Sequence, residues 1–62
     1  MSERKTIRIY GKAIDMLSGY TTFGIPLLPE EQSLLARAIK ELSSCPSLMA
    51  QRYIKTAEKL LS

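Results

Sequence analysis

The chain has a single cysteine and no histidine in 62 residues, so an internal disulfide or a zinc site of Cys and His ligands cannot stabilise its fold. A domain of this length buries only about 60% of the surface that its unfolded chain exposes, which leaves little stability in reserve. Association with a second chain is the other common way to gain stability. We therefore expect one domain over residues 1–62 that self-associates or binds a protein partner.

Charge and hydropathy narrow the class of protein further. Nine Lys and Arg against six Asp and Glu give a net charge of +3, which suits a soluble protein as well as one with an anionic partner. No apolar run approaches the length of a transmembrane helix, and the charged residues that follow Met1 do not resemble a signal peptide. The expected location is the cytoplasm.

Residues 3–18 predict a first helix, because on a helical wheel apolar and basic residues separate into two halves. Ser2 is the predicted N-cap and Gly19 the predicted glycine just after the helix. Gly11 falls on the polar half, where it costs about 1 kcal/mol of helix stability. The apolar half consists of Thr6, Ile7, Ile9, Tyr10, Ala13, Ile14, Met16 and Leu17.

Two prolines predict the starts of two more helices, since proline is tolerated in the first helical turn. Pro29, followed by two glutamates, opens a helix over 29–43, and Pro46 opens one over 46–61. The short break between them predicts an antiparallel hairpin. The predicted buried faces are Leu34, Leu35, Ala38, Ile39 and Leu42 in the second helix, and Met49, Ala50, Tyr53, Ile54, Ala57, Leu60 and Leu61 in the third.

The predicted fold is thus all-α, a small three-helix domain in which the packing order of the first helix stays open. A ribbon-helix-helix dimer is the alternative, with Lys5–Tyr10 as a strand that pairs with a second copy. The β-branched residues between Thr6 and Tyr10 favour that strand. About 18 residues then separate it from Pro29, where that architecture has a short turn.

Residues 19–28 are predicted to be a linker in which half of the residues are large and apolar. Such side chains either cover the end of a small core or form a docking surface. We expect Leu27 and Leu28 to pack inward and Tyr20 and Phe23 to contact another chain. The candidate partner-binding residues are Tyr20, Phe23, Ile25 and Leu27.

Basic residues form two stripes, which are either solvated helix faces or anion-binding surfaces for phosphate, nucleic acid or acidic side chains. Tyr10 and Tyr53 point to the apolar faces, so neither stripe has an aromatic residue to stack on bases. The first helix has no Trp or Phe, and membrane binding is not expected. The stripes are Arg4, Lys5, Arg8 and Lys12 in the first helix and Arg52, Lys55 and Lys59 in the third.

Groups for catalysis are scarce. Glu30 and Glu31 are adjacent and diverge on a helix, and Cys45 has no histidine to act as its base, which favours a structural role for the thiol. We expect no enzyme activity, cofactor, metal site or small-molecule substrate. The predicted function is that of a non-catalytic adaptor or inhibitor that docks on a larger protein or self-associates. A basic regulator that binds nucleic acid is the alternative.

Overall fold

The computed structural model describes residues 3–62, which form three α-helices with no strand among them. Helix α1 spans Glu3–Thr22, α2 spans Pro29–Leu42 and α3 spans Leu48–Leu61. The predicted all-α three-helix domain is confirmed. The ribbon-helix-helix alternative is wrong, because Lys5–Tyr10 lies inside α1 and forms no strand.

Every pair of helices is in contact, and α1 and α3 run in the same direction. Gly11 of α1 lies against Tyr53 of α3, and Ser18 near the end of α1 shares a depression with Leu60 near the end of α3. The intervening α2 runs the opposite way, as the predicted α2–α3 hairpin requires. The molecule measures 33 × 18 × 18 Å, and the 20 residues of α1 account for about 30 Å of its length.

Helix α1 continues past its predicted end and stops at Thr22, so Gly19 lies inside it. The glycine that ends it is Gly24, whose φ of +78° lies in the left-handed region that favours glycine. Gly24 N–H donates to Thr21 O (3.0 Å) and Ile25 N–H donates to Tyr20 O (2.9 Å), the two bonds of a Schellman motif. The linker therefore shrinks to residues 23–28, and Tyr20 belongs to α1.

The other two helices begin in different ways. Helix α2 begins at Pro29 as predicted, and Leu28 N–H donates to the carboxylate of Glu31 (2.8 Å). Helix α3 begins at Leu48 and not at Pro46, because the hydroxyl of Ser47 caps it by accepting from Met49 N–H (3.2 Å). The predicted N-cap of α1, Ser2, lies outside the described residues.

The core runs along the bundle axis. The predicted buried face of α2 is confirmed, whereas Met49 and Leu61 of α3, also predicted to be buried, are 54% and 39% exposed. Cys45 is buried and its thiol donates to Glu41 O (3.8 Å), in agreement with a structural role. The buried residues are Ile14, Leu17, Leu35, Ala38, Leu42, Cys45, Ala50 and Ala57.

Gly11 of α1 lies in close contact with the Tyr53 side chain of α3. The helical wheel places Gly11 on the polar half of α1, yet the residue is buried. A Cβ atom at this position would lie 2.5 Å from Cε2 of Tyr53 and 2.6 Å from its Cζ, well inside van der Waals contact. The absent side chain is therefore what lets the Tyr53 ring lie against the backbone of α1.

Candidate functional site

The outward side of α1 carries a row of uncharged, mainly apolar side chains, which we call the outer seam. Its members recur at intervals of four, three, four and three residues, and the side chains of Ile9 and Met16 are 50% and 51% exposed. With Lys12, they border a shallow depression of about 550 Å³. The outer seam consists of Ile9, Ala13, Met16, Tyr20 and Phe23.

The prediction that Ile9 and Met16 belong to the buried face of the first helix is wrong. Tyr10, Ile14 and Leu17 face the core, and the outer seam is centred about 110° away from them around the helix axis. A wheel that divides residues into two halves hides this separation. The signal in the sequence is the alternation of three- and four-residue spacings, which traces a second apolar row.

The predicted partner-binding residues occupy three environments. Tyr20 and Phe23 lie on the outer seam, 37% and 84% exposed, and Phe23 N–H still donates to Gly19 O (3.2 Å), which extends the helical bonding by one residue. Ile25 is half exposed, and Leu27 packs against the core as predicted. Leu28 is 57% exposed, so its predicted inward packing is wrong; it occupies the N-cap position of α2 with an extended backbone.

A groove of about 530 Å³ separates the N-terminal half of α1 from the start of α3, and we call it the cationic groove. Three of its lining residues are apolar or aromatic, namely Ile7, Met49 and Tyr53. Its cationic residues are spaced one helical turn apart along α1, and Asp15 is the acidic residue that lines it. The cations of the groove are Arg4, Arg8 and Lys12.

Ser47 also lines the groove, so the N-terminus of α3 opens onto it. The first amides of a helix carry a partial positive charge, which adds to that of the three side chains. Met49, half exposed, places its thioether side chain beside these cations. The groove thus combines apolar surface for burial with positive charge that attracts carboxylates.

The seven predicted anion-binding residues are all exposed, but they do not form one site. Arg4, Arg8 and Lys12 line the cationic groove, while Lys5 is outside its lining and has an interaction of its own. On α3, Arg52 and Lys55 border a separate depression of about 290 Å³ with Leu48 and Gln51. Lys59 lines a third, near the C-terminal ends of α1 and α3.

Within residues 3–62, no group of three or more His, Cys, Asp or Glu side chains is placed to hold a metal ion. Over the same residues, none of the three helices combines the length and the apolar character needed to cross a bilayer. Comparison of the chain with protein-family models, with curated proteins and with solved structures finds no match. The candidate sites therefore rest on the geometry of the outer seam and the cationic groove.

Proposed function

We propose that this chain is a non-catalytic interaction protein whose cationic groove binds an acidic, partly apolar segment of a larger protein. The observation that carries the proposal is the placement of three cations, Arg4, Arg8 and Lys12, beside the apolar surface of Ile7, Met49 and Tyr53 in a single groove. Positive charge and apolar surface in one groove suit a ligand that carries both carboxylates and apolar side chains.

The two parts of the groove contribute differently to binding. Burial of apolar surface contributes about 25 cal/mol per Å², so the side chains of Met49 and Ile7 supply affinity. The cations raise the association rate and orient a ligand that carries carboxylates. A helix with acidic residues on one edge and leucines on the adjacent face matches both requirements.

A fluorescent helical peptide built from Glu and Leu tests the proposal by anisotropy. We expect the double substitution Arg4→Ala and Arg8→Ala to weaken binding at least ~10-fold and to reduce its dependence on salt. Met49→Ser should weaken binding with the salt dependence unchanged. The matched control is Arg52→Ala with Lys55→Ala, which removes the same charge from the other basic stripe.

Equal losses for the two double variants would contradict the groove as the site, because binding would then follow net charge alone. Circular dichroism of each variant checks that the helices remain formed. A peptide with Ser in place of every Leu should bind weakly, since it lacks apolar side chains to bury.

Nucleic-acid binding is the second candidate function, and it is favoured by the exposure of both basic stripes. Duplex DNA in the same assay separates the two proposals. Binding to phosphates weakens steeply with salt, and each lost phosphate contact lowers the slope of log affinity against log salt by about one. DNA binding that depends equally on Arg4, Arg8, Arg52 and Lys55 would favour the regulator.

A further inference from the structure

We propose that two copies of this chain associate through their outer seams, with the two α1 helices packed antiparallel. The proposal rests on the side of α1 next to the cationic groove, and Lys12 lies at the edge between the two surfaces. It assigns a partner to apolar side chains that the three-helix bundle leaves exposed.

The spacing of the outer seam is that of a helix-helix interface. Intervals of four and three residues are those of the a and d positions of a coiled coil, which place side chains in one row facing a second helix. From Ile9 to Phe23 the row extends about 21 Å, or two heptads. Ala13 in the middle allows close approach of a second helix, and the flexible Met16 can adapt to it.

The accessible surface of the chain is large for its mass. It amounts to 4758 Å² for 7.0 kDa. Folded monomers of that mass expose about 4,000 Å². Part of that excess is the apolar surface of the outer seam, where Ile9, Met16 and Phe23 are 50%, 51% and 84% exposed.

Charge sets the direction of the pairing. All four cations of α1 lie between Arg4 and Lys12, whereas Asp15 is the only charged residue between Ala13 and Thr22. A parallel pair would bring the two basic halves together. An antiparallel pair places each basic half beside the nearly uncharged half of the other helix, and it also opposes the two helix dipoles.

The outer seam is complementary to itself in this arrangement. A two-fold axis between residues 14 and 15 sets Ala13 opposite the partner's Met16, and Ile9 opposite the partner's Tyr20. The small Ala13 then faces the larger Met16, Ile9 and Tyr20 form an apolar pair on each side of the axis, and Phe23 falls opposite the partner's Thr6. The five seam residues are uncharged, and the charged residue that borders their depression is Lys12.

Sedimentation equilibrium of the full chain tests the association. We expect a mass approaching twice the 7.0 kDa of the monomer at high concentration. Met16→Glu and Ile9→Glu should each weaken the dimer at least ~100-fold, because each places a charge in the apolar interface. Leu48→Glu is the matched control, since Leu48 is 78% exposed and lies outside the seam. This control should dimerise like the native chain.

A native chain that stays monomeric at every concentration, or seam variants that dimerise as well as the control, would overturn the proposal. Circular dichroism identifies any variant that unfolds. For that case the uncharged change Met16→Gln gives a second test, with an expected loss of at least ~10-fold.

Disulfide cross-linking tests the orientation. In a Cys45→Ala background, Ile9→Cys and Tyr20→Cys proteins are mixed and oxidised gently. The antiparallel pair brings these two positions together, within the short Cα separation that a disulfide requires, so mass spectrometry should find mainly the mixed species. Predominant self-cross-linking of each variant would indicate a parallel pair and would overturn the proposed arrangement.

Discussion

Helices α1 and α2 place their large apolar side chains differently. In α2 the leucines and isoleucine are all buried or half-buried, and the opposite side is polar and exposed. In α1 one row of apolar residues faces the core, while Ile9, Met16 and Tyr20 on the outer seam remain 37–51% exposed. Both helices are amphipathic, but only α2 uses all of its large apolar residues within the bundle.

This difference between α1 and α2 indicates that apolar side chains serve two purposes, to form the core and to contact another chain. In a three-helix bundle each helix is covered on one side by its two neighbours, and a single apolar stripe is sufficient for that contact. The Ile14 and Leu17 side of α1 fulfils this role, with both residues fully buried. The additional row adds little to the stability of one chain, which is why we assign it to a contact between chains.

The largest expected effect is the difference in stability loss between truncating a core residue of α2 and truncating a residue of the outer seam. Leu35→Ala removes a fully buried side chain of α2 and should cost about 3 kcal/mol or more, most of the ~3–5 kcal/mol available to a domain of this size. Met16→Ala on the outer seam should cost less than ~1 kcal/mol in the monomer. Urea denaturation at low protein concentration measures both. Similar losses would show that Met16 belongs to the core and would remove the distinction between α1 and α2.

A smaller effect is expected at the contact between α1 and α3. Gly11→Ala improves helix propensity by about 1 kcal/mol but pushes a methyl group into the Tyr53 ring, and such overpacking costs about 1–3 kcal/mol. We expect a net loss of about 1 kcal/mol.

Gly19→Ala is the matched control, since Gly19 lies in the same helix and a Cβ there meets nothing within 4 Å. It should stabilise the protein by up to about 1 kcal/mol. Stabilisation by both substitutions would mean that the Tyr53 ring moves aside freely.

The sequence predicts α2 well because its signals agree. Pro29 starts the helix, Glu30 and Glu31 suit its first turn, and its apolar residues form one stripe, so the predicted end at Ser43 is one residue from the observed one. The end of α1 was missed because Gly19 and Gly24 are both acceptable terminators by residue type. The backbone of Gly24 takes the left-handed conformation that ends the helix, and the hydroxyls of Thr21 and Thr22 donate to the carbonyls of Leu17 and Ser18 within the last turns.

The candidate sites were only partly predictable for a related reason. A wheel shows that Arg4, Arg8 and Lys12 share the polar half of α1, but it cannot show that α3 places Met49 and Tyr53 beside them. That placement depends on the packing order of the helices, in which Gly11 of α1 lies against Tyr53 of α3. The outer seam could not be predicted, because the sequence does not show how much of the α1 surface α2 and α3 cover. That coverage is set only when the three helices pack together.

The smallest expected effect concerns Leu28, the exposed apolar residue immediately before α2. It occupies the N-cap position, where its side chain cannot accept a hydrogen bond from the first amides of the helix. Leu28→Ser supplies an acceptor and completes a capping box with Glu31, whose carboxylate already accepts from the backbone N–H of residue 28. Because 57% of the Leu28 side chain is already exposed, little burial is lost. We expect stabilisation of about 0.5 kcal/mol, seen as a higher urea midpoint.

Ser47→Ala, which removes the cap of α3, should lower stability by about 1 kcal/mol under the same conditions. A loss of more than about 1 kcal/mol for Leu28→Ser would mean that this residue covers the core in solution, and that α2 depends on apolar contacts beyond its own stripe.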